Sequence, residues 1–246
     1  MVTGSDSARW PAGAAGGRLL PVGPTAVLLD LATGSGDPVR DARLVGELAG
    51  AVREVLRVAG RRVTDVVPGA YTVLVDGVTA ADVALLADLL DRPERWSTTA
   101  AADSTAPDAG PAEGSDRLVE LPTVYDGADL EVVAGLWGVP VAAVVDRHTR
   151  LEFRAAFTGF APGFAYLAGL PADWAVPRRG ESRAVVPAGA VGLAGRWCGV
   201  YPRMSPGGWQ LVGHTTPAVT RALFDPAATP PALLTPGTRV RFVRAA

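Results

Sequence analysis

Residues 159 to 171 read GFAPGFAYLAGLP, three glycines and two prolines among two phenylalanines and a tyrosine. Glycine serves where the chain takes positive φ or lets another group come close, and proline fixes φ and removes a donor, so the stretch specifies a shaped loop. Around it lie short β-favouring runs divided by Gly and Pro: LEFRAAFTGF (151–160), AVVPAG (184–189), AVGLAG (190–195), CGVYP (198–202), WQLVGHTT (209–216) and TRVRFVRA (238–245). That is the texture of a mostly β sandwich or barrel. The two segments ahead of it, YDGADLEVVAGLWGV (125–139) and PVAAVVDRHTR (140–150), precede the change, and the first has apolar spacing that suits a short helix.

Nearer the N-terminus the pattern alternates. TAVLLDL (25–31) reads as a buried strand, and residues 37–60 place Val39, Leu44, Leu48, Val52, Val55 and Leu56 at helical spacing, with Asp37 as N-cap, Pro38 at the first helical position and Gly60 as a stop. RVTDVVPG (62–69) and YTVLVDG (71–77) are two strand-like runs, and TAADVALLADLLD (79–91) is a second helix capped by Thr79. The order strand, helix, strand, strand, helix asks for one more strand, which RLVELP (117–122) can provide, giving a ferredoxin-like α+β layer. The expected organisation is an N-terminal α+β domain over 1–96 with 1–17 flexible, a linker or insertion over 97–116, and a barrel domain over 117–246 whose first residues, 117–122, complete the N-terminal sheet. The linker, STTAAADSTAPDAGPAEGSD, is too poor in large apolar residues to order itself.

Composition excludes several function classes. The 246 residues carry a formal net charge of −2, without the basic excess that nucleic-acid binding requires. No apolar run approaches the ~18 residues of a membrane span, and the first residues lack the apolar stretch of a signal peptide. With Cys198 alone there is no internal disulfide, so the cytoplasm is the expected location; with two histidines a Cys/His zinc cage is not expected, and no metal is assigned. The chain has no Lys, Ile or Asn, and its 23 basic residues are all Arg, a skew that GC-rich codon usage accounts for. Without lysine there is neither a Schiff base nor a Walker-type phosphate loop.

Four groups of side chains can carry chemistry. Phe160, Phe164 and Tyr166 can form an aromatic wall shaped by Pro162 and Gly163, lining a cleft or packing a barrel turn. Within YPRMSPGGWQ (201–210), Gly207 and Gly208 can present backbone N–H groups to an anion or form a tight hairpin, with Tyr201, Ser205, Trp209 and Gln210 beside them. Arg178, Arg179 and Arg183 in PRRGESR form a cationic group suited to a carboxylate or phosphate, although a single arginine is more often solvated surface. His148 is the candidate general base, against the commoner role of a local hydrogen-bonding histidine. Asp126, Asp129, Glu131 and Asp146 fall around an exposed helix as solvated or capping groups, and no G-x-S-x-G elbow or nucleophile–base–acid set is present.

VYDGADLEVVA (124–134), GFAPGFAYLAGLP, PRR (177–179), VPAGAVGLAG (186–195) and YPRMSPGGWQLVGHTT (201–216), in this order, closely resemble the KipI/PxpB family, also called allophanate hydrolase subunit 1. The resemblance implies an N-terminal α/β domain followed by a cyclophilin-like β-barrel. It implies a subunit of a heteromeric ATP-dependent 5-oxoprolinase, or a closely related amide hydrolase, whose partners are of the PxpA and PxpC type (KipA, allophanate hydrolase subunit 2). ATP would then act at the level of the complex and not through a motif of this chain. Two alternatives come with the family: a regulatory protein that inhibits a histidine kinase, and a carboxyltransferase-like component acting on urea or a related amide with biotin on another protein. His214 stands where relatives often have arginine, and Ser182-Arg183 keeps the arginine of a second Pro-Arg pair but not the proline.

Overall fold

The computed structural model describes residues 17–31, 37–99 and 117–245. They divide into two compact units, the first holding the elements up to residue 99 with most of the long first helix, the second everything from residue 117 on.

The first unit runs β1 (Arg18–Val22), β2 (Ala26–Asp30), α1 (Pro38–Val58), β3 (Asp65–Pro68), β4 (Thr72–Asp76), α2 (Ala80–Leu90) and α3 (Glu94–Thr99). Its four strands are antiparallel in the order β1-β2-β4-β3. The two central strands alternate, burying Val27, Leu29, Val73 and Val75 on one face. Those residues share a core with Val45, Leu48, Val52 and Leu56 of α1 and Leu86, Leu89 and Leu90 of α2, so one sheet face and two helix stripes close a two-layer unit. The local start signals act as read: the Asp37 carboxylate accepts from the Val39 N–H at 3.0 Å, and the Thr79 N–H and hydroxyl both donate to Asp82.

Residues 117–122 do not complete this sheet. The strand beside β2 is β1, from the start of the chain, whereas β5 (Leu118–Val124) lies in the second unit between β13 and β12. β1 fills the place that a ferredoxin-like order gives to its last strand, so the chain reaches that edge first rather than last. The linker expected over 97–116 begins later, because α3 carries helix to Thr99 and seats Trp96, whose Nε1–H donates to the Leu89 carbonyl at 2.9 Å. The rest of that expected linker, 100–116, and residues 1–16 of the N-terminal stretch expected to be flexible lie outside the described residues.

After β5 the second unit continues with α4 (Leu130–Trp137), α5 (Val141–Arg150), β6 (Phe153–Thr158), β7 (Ala165–Ala168), β8 (Arg183–Val186), β9 (Ala190–Ala194), β10 (Trp197–Val200), β11 (Ser205–Gly207), β12 (Gln210–Thr215), α6 (Pro217–Ala222) and β13 (Arg239–Arg244). Seven strands close a barrel in the order β10-β7-β6-β13-β5-β12-β9, while β8 and β11 pair separately. β13 runs parallel to β5 and antiparallel to β6, and closure leaves the seven strands without a free edge. Leu121, Phe153, Leu167, Leu193, Val212 and Phe242 fill the inside together with Val133, Val144 and Val145 of α4 and α5. The shaped loop proves shorter than 159–171, since Ala165–Ala168 alternates as strand β7 against β6. No helix among the described residues is long and apolar enough to cross a membrane.

Candidate functional site

Strands β9 and β10 have two faces. Val191, Leu193, Cys198 and Val200 point into the barrel, and the alternate positions Ala190, Gly192, Ala194 and Gly199 face outward. At Gly199 even a methyl group would collide with the Phe164 ring, so the bare backbone there is what lets the rings lie against the strands. Phe164, Tyr201 and Trp209 occupy that surface, each no more than 4% exposed, with ring centroids 5.5 Å apart for Phe164–Tyr201 and for Phe164–Trp209. These three expected cleft residues are therefore the core of a second apolar layer, and their rings stabilise the fold rather than waiting for a ligand.

Phe160 is different. It sits at φ 67, a left-handed conformation that is costly for a bulky residue, and is 56% exposed, its ring edge-on to Phe164 and to Tyr201. With Pro162, Gly163, Phe224 and Ala232 it lines an open depression of ≈ 450 Å³. An apolar ring held out of the core by a strained backbone is a candidate contact group.

The charged part of the site is built on Asp129, which is 2% exposed. Its Oδ1 accepts from Arg183 Nη2 at 2.7 Å and Arg179 Nη1 at 2.9 Å, and its Oδ2 accepts from the Leu211 N–H at 2.7 Å. Burial pushes such a carboxyl up, but the hydrogen bonds from Arg183 and Leu211 and both guanidinium charges outweigh it and hold Asp129 below the usual carboxylate range. The segment YDGAD makes this possible. A side chain at Gly127 would overlap the β12 backbone from Leu211 to Gly213, so only glycine lets Asp129 come close enough for its own N–H to donate to the Leu211 carbonyl at 2.9 Å.

Asp129 thus corrects two expectations. It is not a solvated carboxylate, and Arg179 and Arg183 are already paired to it instead of forming an open anion fork. Arg178 alone of that group is exposed, with no ion pair among the described residues. Burial raises the Tyr201 phenol and the Arg178 charge acts against that rise, while the Phe160 ring meets Tyr201 edge-on.

The SPGGWQ run does not form the hairpin that is the alternative to an anion-binding turn: β11 pairs with β8, and β12 with β9 and β5. Gly207 pairs with Arg183 across β11 and β8, the Gly208 carbonyl accepts from the Arg179 N–H at 2.8 Å, and Ser205 donates to the Arg203 carbonyl at 3.3 Å. Gln210 is buried, its Nε2 donating to the Pro177 carbonyl at 3.2 Å. His214 lies on the exposed side of β12, 2.8 Å from Asp126.

His148 is not placed as a base. It is 1% exposed among Phe153 and Phe242, with Nδ1 2.8 Å from the Tyr125 hydroxyl and Nε2 3.5 Å from Cys198 Sγ. Burial lowers it to about 3, so the ring is neutral at physiological pH, and burial also pushes the Cys198 thiol and Tyr125 phenol up. The alternative of a local hydrogen-bonding histidine is the one the structure shows, with His148 in the last turn of α5, buried against the barrel. Among the described residues no group of three or more His, Cys, Asp or Glu can hold a metal ion.

Residues 17–234 match the family model of the carboxyltransferase domain, subdomain C and D. The chain belongs to this family. Curated relatives bear out the KipI/PxpB resemblance within it. The chain is 39% identical over 230 residues to the B-type subunit of 5-oxoprolinase from Escherichia coli O157:H7, covering 90% of this chain and 93% of that protein. It is 45% identical over 135 residues to the B-type subunit of 5-oxoprolinase from Bacillus subtilis (strain 168), 54% of this chain and 55% of that one. Among solved structures, TTHA0988 aligns at 31% identity and TM-score 0.66 over 90% of this chain, which spans 40% of that protein. The urea amidolyase of K. lactis aligns at TM-score 0.68 over 94% of this chain and 15% of its own length, and at 16% identity it shares the fold.

Proposed function

We propose that this chain is the B-type subunit of a cytoplasmic hydrolase complex that opens 5-oxoproline to glutamate with hydrolysis of ATP, completing a substrate site with subunits of the PxpA and PxpC type. The observation that carries the reading is the 39% identity spanning 93% of the B-type subunit of the Escherichia coli O157:H7 5-oxoprolinase. The geometry supports a subunit that shares its site. Its titratable core, His148 and Cys198, is sealed, while Phe160, edge-on to Tyr201, and Arg178 are exposed. Asp129 pairs with both Arg179 and Arg183 and so fixes β8 and the turn before it, leaving Arg178 exposed to meet an anionic substrate or intermediate.

A five-membered lactam resists hydrolysis, and ATP supplies the driving force by phosphorylating the amide oxygen. Water then adds to the former carbonyl carbon, the C–N bond breaks to leave the acyl phosphate of glutamate with the freed amine protonated, and a second water releases phosphate. Nothing in that sequence asks this chain for a nucleophile; it asks for positioning and charge.

A second reading, a carboxyltransferase-like component using biotin on another protein, is favoured by the family match over 17–234. Avidin separates the two. Ring opening that needs ATP and ignores avidin is expected; bicarbonate-dependent, avidin-sensitive carboxylation of urea or a related amide would replace the hydrolase reading.

A further inference from the structure

The second histidine of the chain is held in a different way from the sealed His148. His214 Nδ1 lies 2.8 Å from Asp126 Oδ1, and both side chains are exposed. A carboxylate only accepts, so in the neutral ring Nδ1 carries the proton and Nε2 the lone pair. Nε2 has no hydrogen-bond partner among the described residues.

The fold fixes this pair. Gly127 lets the YDGAD segment lie against the backbone from Leu211 to Gly213, and the segment takes hold of β12 at two points three residues apart. At one, Asp129 accepts from the Leu211 N–H; at the other, Asp126 meets His214. An imidazole whose plane and tautomer are set by a carboxylate, with its second nitrogen open, is the arrangement that proton transfer uses.

Strand register places the pair beside the site already described. His214 is opposite Ala190 of β9 and Val124 of β5, so its side chain shares the outward face with Ala190. The Tyr201 N–H donates to the Ala190 carbonyl at 2.9 Å, and Tyr201 packs with Ala190 on that face. Tyr201, Ala190 and His214 therefore follow one another across adjacent strands, with about 10 Å of backbone separation between the first and the last. Phe160 is edge-on to Tyr201, and the Arg178 charge acts on the same phenol, so His214 shares this outward face with the tyrosine that both exposed groups meet.

We propose that His214, held by Asp126, is the proton carrier of this chain, an inference that rests on the hydrolase reading. As water adds to the activated amide carbon, its oxygen bonds to that carbon and one of its protons passes to His214 Nε2. As the C–N bond breaks, its electron pair stays on nitrogen, and the ring gives its proton to that nitrogen. The imidazole ends neutral, as it began. His148 cannot serve in this way, because its two nitrogens face Tyr125 and Cys198.

The test measures glutamate formation from 5-oxoproline by the complex assembled with PxpA- and PxpC-type subunits, with the wild-type chain as reference. His214→Ala should lower turnover by about 100-fold while melting as the wild type does, and added imidazole should restore about tenfold of the loss. Asp126→Asn should lose about tenfold. His214→Arg keeps a donor and a charge but has no lone pair, so it should fall as far as His214→Ala. Unchanged turnover in His214→Ala, a loss that imidazole does not relieve, or full turnover in His214→Arg would overturn the proton carrier and leave the hydrolase reading standing. No turnover from an assembled wild-type complex would overturn that reading and the proton carrier with it.

Discussion

Arg183 Nη2 lies 2.7 Å from Asp129 Oδ1, joining β8 to the start of α4 across 54 residues of sequence. Among the described residues Asp129 is the only carboxylate paired with this arginine and with Arg179, so removing it takes that acceptor from two cations and the Leu211 N–H. Asp129→Ala is expected to lower the stability of the barrel unit by about 3 kcal/mol, read as a shift of its urea midpoint. Arg183→Ala, which leaves Arg179 in place, should cost about 1 kcal/mol. Equal losses in the two variants would show that the carboxylate is not the hub.

Acid should unfold the barrel in two stages. His148 titrates at about 3 in the folded chain against an ordinary 6.5, so between those values the unfolded chain takes up a proton that the folded chain does not. Stability therefore declines as pH falls from about 6.5, by roughly 3 kcal/mol at pH 4. Asp129 acts in the same direction at lower pH. Its folded value lies below the ordinary 3.8, so its contribution is complete above that value and is lost only as pH falls further, through the folded value. His148→Gln should flatten the stability curve between about pH 4.5 and 6.5. Parallel curves for wild type and variant in denaturant titrations would contradict the assignment.

Gly127 has backbone, not flexible side chain, where a Cβ would go. Gly127→Ala must therefore push the YDGAD segment off β12 and break the paired Asp129 and Leu211 bonds. The expected outcome is a loss above about 3 kcal/mol, seen as low soluble yield and weakened near-ultraviolet dichroism. Melting like the wild type would show that the close approach is not required.

Phe160 separates stability from function. Phe160→Gly relieves a left-handed backbone and removes a ring that is already 56% exposed, so the melting temperature should hold or rise slightly. Turnover of the assembled complex should fall at least about tenfold if that ring meets substrate or partner. A lower melting temperature with unchanged turnover would make Phe160 a packing residue.

How far the sequence can be read follows from the range of its interactions. Helices α1 and α2 are legible because 3.6-residue periodicity and the caps at Asp37 and Thr79 are local. Strand β1 is not, because RLLPV carries Pro21, a residue that suits an edge position such as this one but blurs a strand pattern. The glycine loop reads correctly as shaped, yet no local rule separates Phe160, which is exposed, from Phe164, which is buried. Asp129 escapes a sequence reading because its partners lie 50 and 54 residues downstream; a glycine two residues before an acid, and an arginine group left unpaired, are the only signals. His148 misleads because all but one of the barrel strands that seal it come after it in the chain.

The most direct measurement is ATP-dependent formation of glutamate from 5-oxoproline by this chain mixed with its PxpA- and PxpC-type subunits, each omitted in turn. The expected result is turnover that disappears when this chain is left out and falls sharply with Arg178→Ala in a complex that still assembles. Full turnover without this chain, or none from a demonstrably assembled complex, would contradict the proposed function.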